Sequence, residues 1–114
     1  MKVLVCGGRE FDDYNFLYDT LTDIHEQRRF THLIHGGARG ADRMSGEWAS
    51  EKGLEVTVFH ADWDKYGNRA GPLRNLQMLT EGKPDLVVAF PGGKGTAHMK
   101  DIARKADIEV IEIY

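Results

Sequence analysis

Three short segments combine glycine with basic residues in a way that suits an anion: Cys6-Gly7-Gly8-Arg9, His35-Gly36-Gly37-Ala38-Arg39-Gly40 and Phe90-Pro91-Gly92-Gly93-Lys94-Gly95-Thr96. Glycine lets backbone N–H groups come close to a ligand, and a guanidinium grips phosphate through two parallel hydrogen bonds. Five of the eight arginines, Arg9, Arg39, Arg43, Arg69 and Arg74, fall in or just after such segments, or early in the helices they lead into. A phosphorylated small molecule is the implied ligand class. Two familiar phosphate motifs are missing. The Pro91–Thr96 segment lacks the GxxxxGK[ST] spacing of a Walker loop, and His35–Gly40 lacks the first glycine of GxGxxG.

Other reactive side chains have simpler readings. Cys6 ends an apolar run, where cysteine is usually a small buried hydrophobe rather than a nucleophile. His35, His60 and His98 have no HxH or CxxC company, so neither a metal nor any other cofactor is expected. Trp63 and Tyr66 sit in a polar stretch, His60 to Gly71, and suit either stacking on a base or plugging the edge of the core. Asn75, beside Arg74 and just after Gly71-Pro72, can bond a ribose hydroxyl or tie down a neighbouring loop.

Elements that could position these residues follow from the apolar pattern. Residues 2–6, 32–35, 55–59, 85–90 and 109–113 are short, β-branched-rich runs that read as five strands. Those at 3–6, 56–59 and 86–90 are nearly continuous, as strands covered on both faces should be. Helical spacing fills the gaps: Tyr14, Leu17, Tyr18, Leu21 and Ile24, with Asp12 or Asp13 as cap; Ala41, Met44, Trp48 and Ala49; Leu73, Leu76 and Leu79 after Pro72; then Ala97, Ile102 and Ala103. Strands alternating with helices predict a doubly wound, Rossmann-like α/β sandwich of three layers around a five-stranded parallel sheet. The commonest order, 3-2-1-4-5, sets strands 1 and 4 side by side where the winding reverses, and ligands bind in that crevice. Eight of the thirteen glycines, Gly7, Gly8, Gly36, Gly37, Gly40, Gly92, Gly93 and Gly95, follow strands 1, 2 and 4 and would converge there.

Composition bounds the rest. A chain of 114 residues without a linker or repeat reads as a single domain, residues 1–114. Hydrophobic content of 41% and charged content of 29% exclude a disordered chain. No apolar run is long enough for a membrane span, and one cysteine fits a reducing cytoplasm. A net charge of −3 argues against nucleic acid as partner.

Four motifs taken together, CGGREF (Cys6–Phe11), HGGARGAD (His35–Asp42), ADWDKYGNRAGPLRN (Ala61–Asn75) and AFPGGKGT (Ala89–Thr96), resemble the YspA-type branch of the SLOG (Smf/DprA–Lonely Guy) superfamily. The resemblance runs from residue 3 to about residue 111. It implies a Rossmann-like domain that binds a nucleotide or a nucleotide-derived ligand and associates with itself. On that basis the ligand contacts are expected from Gly7, Gly8, Arg9, Gly36, Gly37, Arg39, Gly40, Asp42, Asn75, Pro91, Gly92, Gly93, Gly95 and Thr96.

Two relatives imply different activities. Lonely Guy enzymes split the N-glycosidic bond of nucleoside 5′-monophosphates, with the hallmark PGGxGTxxE and an arginine on the preceding helix. Residues Pro91–Thr96 match and Arg74 is similarly placed, but the glutamate position holds Met99, whose thioether can neither activate water nor stabilise an oxocarbenium-like charge. A hydrolase would need another carboxylate, and Glu47 or Asp62 beside Arg74 are the catalytic candidates. Asp42 suits helix capping as well as chemistry. The second relative, DprA, which acts on single-stranded DNA, shares a stretch like Gly36–Asp42, without the basic surface such a role needs.

Overall fold

The computed structural model describes residues 1–114. Five strands, β1 (Lys2–Cys6), β2 (His32–His35), β3 (Glu55–Val58), β4 (Leu86–Ala89) and β5 (Glu109–Glu112), form one sheet in the order β3-β2-β1-β4-β5, every pair parallel. The helices are α1 (Tyr14–Arg28), α2 (Ala41–Glu51), α3 (Trp63–Tyr66), α4 (Ala70–Thr80) and α5 (Lys94–Lys105). A single 3-10 turn, Gly67–Arg69, joins α3 to α4. The fold is the Rossmann-like α/β sandwich that the pattern predicts.

Period-two alternation along the central strands divides the core into two clusters. Val3, Val5, Leu86 and Val88 face Leu17 and Leu21 of α1 and Trp48 of α2. Leu4, Cys6, Val87 and Ala89 face Met78 and Leu79 of α4, with Met99 and Ala103 of α5. Helices therefore cover both faces of β1 and β4, which are almost wholly buried.

Two local expectations need correction. β3 is an edge strand whose residues stay half-buried or exposed, with Val58 37% exposed, rather than a strand covered on both faces. Its apolar run borders a stretch where the chain makes only the one-turn α3 before reaching α4, so no long helix lies against its second face. The stretch from His60 to Gly71 is also not irregular throughout. Asp62 caps α3 by accepting the Lys65 N–H at 3.1 Å, a helix too short to leave any periodic signal. No helix of the chain is long and apolar enough to cross a membrane.

Candidate functional site

Cys6 of β1 and Ala89 of β4 lie side by side, and the chain leaves them toward helices on opposite faces of the sheet. Diverging connections open a crevice at such a point. The two loops are laced together: Phe90 N–H donates to the Cys6 carbonyl at 2.9 Å, and Gly8 N–H to the Pro91 carbonyl at 2.8 Å. The Gly8 carbonyl accepts from Ala41 N–H at 3.3 Å, drawing the first turn of α2 to the same junction. Beside it lies a cleft of about 730 Å³. Its walls are the loop after β1 and residues of α4 and α5, with Ala38 of the loop after β2, Asp42 of α2, Trp63 of α3 and Asn68 of the 3-10 turn.

The helix starts differ in their caps, and α2 and α4 have none from a side chain. α1 and α3 begin on carboxylate caps, Asp13 accepting Phe16 N–H and Asp62 accepting Lys65 N–H, each at 3.1 Å. α5 begins at Gly93 with no side-chain cap. Its unpaired N–H groups and the positive end of its dipole therefore belong to the cleft wall, formed there by Gly93, Lys94, Gly95 and Thr96. A Cβ at Gly93 or Gly95 would meet no atom within 4 Å, so the backbone there is open to a ligand.

Arg74, half-buried on α4, reaches across the cleft floor. Its Nη1 donates to the Gly36 carbonyl, and its Nε donates to Asn75 Oδ1 at 3.2 Å. Nη2 has no protein acceptor. Burial lowers the guanidinium pKa while Asp42 opposes the shift, and the group stays charged. Asn75 is buried and acts as a strut between helices, its amide donating to the Gly95 carbonyl and to His98 Nδ1, both at 3.1 Å. These bonds tie α4 to the start of α5.

Asp42, only 6% exposed, is the one buried carboxylate of the cleft. Its Oδ2 accepts Ala38 N–H at 3.2 Å. Burial pushes the carboxyl up to about 6, against the pull of that N–H and of Arg74 and Arg9. Glu10 also lines the cleft but is exposed and ion-paired with Arg39. His35 is buried nearby, its Nδ1 accepting Gly37 N–H at 3.0 Å, and burial with the neighbouring His60 and Arg74 charges holds it down to about 4. The Cys6 thiol is pushed up to about 12 by burial and by Asp42, which leaves it inert as a nucleophile.

Gly7, Gly8, Arg9, Asp42, Arg74, Asn75, Gly93, Gly95 and Thr96 line this cleft together. Pro91 and Gly92 border an adjoining hollow. Gly36, Gly37, Arg39 and Gly40 do not line it, and Arg39, Arg43 and Arg69 are exposed. The structure does not bring the two catalytic carboxylate candidates to the cleft. Glu47 lies five residues beyond Asp42, about 140° around α2 at ~100° per residue, and is exposed on the side of Tyr14. Asp62 is occupied as the α3 cap and borders a smaller hollow with Tyr66 and Leu73. Met99 is wholly buried against the sheet, so the position that holds glutamate in the Lonely Guy pattern faces the core here. Lys94 of the PGGKGT segment and His98 also line the cleft, together with Glu10 and Asn68, which the sequence did not single out for it.

Fold and site together define a Rossmann-like protein with a cleft at the crossover of its sheet. Residues 1–66 match the YAcAr family, described as the YspA, cpYpsA-related SLOG family, and the chain belongs to it. A relative from Mycobacterium phage D29, the Gene 61 protein, is 40% identical over an alignment of 118 residues, covering 96% of this chain and 94% of that protein. Membership and fold point to a nucleotide-related function.

Proposed function

We propose that residues 1–114 act as one domain that binds a nucleotide or nucleotide-derived phosphorylated ligand in this cleft. The observation that carries the reading is the uncapped start of α5, open at Gly93 and Gly95 and flanked by Arg9, Arg74 and Lys94 in a chain whose net charge is −3. Phosphate belongs at such a helix start, where backbone N–H groups converge and the dipole favours negative charge. Arg74 Nη2 supplies a charge-assisted donor that no protein group uses. Calorimetric titration with AMP, GMP, CMP, NAD and ADP-ribose tests it. At least one should bind, and Arg74→Ala should weaken that binding at least tenfold; silence across the panel overturns the reading. Pairing of two copies belongs to the same proposal, with exposed Leu73 and Leu76 on α4 as apolar surface, and sedimentation reads it directly.

A hydrolytic reading is favoured by one observation, the buried Asp42 carboxyl whose pKa of about 6 suits proton transfer near neutrality. N-glycosidic cleavage would then depend on Asp42, not on Glu47 or Asp62. Chromatography of the bound nucleotide should show free base. Asp42→Asn should stop its release while sparing binding, and Glu47→Gln and Asp62→Asn should leave it unchanged.

A further inference from the structure

The two tryptophans stand in opposite circumstances. Trp48 is wholly buried, donates its Nε1–H to Thr22 Oγ1 at 3.0 Å, and packs edge-on against His25 and Phe30. Trp63 is 47% exposed, belongs to neither core cluster, and lines the cleft. A large ring left half in water at a concave site needs a reason, because covering it is worth far more than exposing it.

Its surroundings hold it there. Asp62 starts the four-residue α3 that carries Trp63. At Gly71 a Cβ would come within 3.2 Å of the far edge of the indole, so the absent side chain seats the ring against the first turn of α4. On the cleft side only the Arg9 guanidinium attends it, 5.5 Å from the ring centroid, near the ~6 Å limit of a cation–π contact. Arg9 is exposed. Tyr66, the other aromatic of this segment, borders the separate smaller hollow.

The geometry points to Trp63 as the platform on which the nucleobase of the ligand stacks, Arg9 yielding the ring face as the base arrives. The inference rests on the nucleotide reading and adds to it that the ligand carries an aromatic base, not a bare sugar phosphate. A cleft of about 730 Å³ has room for both ends of a mononucleotide. Phosphate would lie on the open start of α5 and the base on the indole. Once displaced from the ring, the Arg9 guanidinium becomes available to the phosphate.

The test compares AMP, GMP and CMP with ribose 5-phosphate by calorimetry on the wild-type protein, Trp63→Phe and Trp63→Ala. The preferred nucleotide should bind roughly ten- to a hundredfold tighter than ribose 5-phosphate, as stacking on an aromatic side chain allows. Trp63→Phe should keep most of that preference, and Trp63→Ala should bring the nucleotide down to the sugar phosphate. Nucleotide should also quench wild-type tryptophan emission, with the quench lost in Trp63→Phe, where only the buried Trp48 emits. A folded baseline for each variant comes from its urea transition followed through Trp48. Equal binding of nucleotide and ribose 5-phosphate, or a preference that survives Trp63→Ala, overturns the stacking role while leaving the phosphate site standing. Absence of binding by all four probes overturns the stacking of a mononucleotide base on Trp63, and silence of NAD and ADP-ribose as well overturns the nucleotide reading with it.

Discussion

The loop after β2 and the loop after β4 have nearly the same composition and opposite uses. Both are glycine-rich, carry a basic residue and lead into a helix with no side-chain cap. In the β2 loop the space beside each glycine is taken. A Cβ on Gly40 would run into the carbonyls of Gly8 and Arg9, one on Gly37 would lie 2.7 Å from His60 Nδ1, and one on Gly36 would lie 2.5 Å from Arg74 Nη1. In the β4 loop the space beside Gly93 and Gly95 is empty and belongs to the cleft wall. Glycine after β2 lets protein approach protein, as Gly92 also does against Thr96 and Gly8, whereas Gly93 and Gly95 leave the backbone accessible.

The sharpest way to break this contrast is a single methyl on each side. Gly40→Ala combines a left-handed φ of 81° with a clash against backbone that cannot move cheaply. It should cost about 2–5 kcal/mol, read as a lower urea midpoint. Gly93→Ala sits at φ −104° with nothing to meet and should stay within about 0.5 kcal/mol of wild type. Its effect should appear instead as weaker nucleotide binding. If both substitutions destabilise the fold equally, the distinction between the loops is wrong.

That distinction shows what a sequence withholds. The architecture was legible because residues 3–6 and 86–90 are nearly continuous apolar runs followed by glycine, separated by stretches of helical spacing. The convergence of the β1 and β4 loops was legible through the 3-2-1-4-5 order. Which glycines face protein and which face solvent was not, because Gly40 touches Gly8 and Arg9 only after the chain has crossed the sheet. Burial was hidden for the same reason. Asp42 and Glu47 are both acidic residues of α2, and only the packing of Ala38 and Arg74 around Asp42 separates a buried carboxyl from a solvated one.

The β2 loop also brackets two titrating groups of opposite sense, His35 before it and Asp42 after it. Asp42 has a folded pKa of about 6 against an ordinary 3.8, so the fold keeps its proton longer and stability falls as pH rises between those values. His35 has a folded pKa of about 4 against an ordinary 6.5, so stability falls as pH drops through that range. Each effect is up to about 3 kcal/mol, and the windows overlap, so the wild-type profile should be nearly flat from these two groups. Asp42→Asn, whose amide oxygen can still accept Ala38 N–H, should be more stable than wild type at pH 7.5 by up to about 3 kcal/mol. That gain should vanish below pH ~4, leaving the histidine slope exposed. His35→Asn should show the reverse, gaining stability as pH falls from about 6 to about 4. Urea melts at pH 4, 5, 6 and 7.5 read both slopes; two parallel profiles would mean that the groups are not buried as described.

The smallest expected effect separates the basic residues of the two loops. Arg39 and Lys94 occupy comparable places in glycine-rich segments, yet Arg39 is ion-paired with Glu10 in an exposed position and Lys94 lines the cleft. An exposed pair contributes under about 1 kcal/mol, because water and salt screen it and two long side chains lose freedom to form it. Arg39→Ala should therefore shift the urea midpoint barely at all and change nucleotide affinity less than about threefold, the modest residue of a long-range charge effect. Lys94→Ala should weaken binding by more, and its loss should shrink as salt is raised, because a point charge beside phosphate is itself screened. Equal losses from the two variants would return the β2 loop to the binding site, with Glu10 holding Arg39 only until a phosphate displaces it.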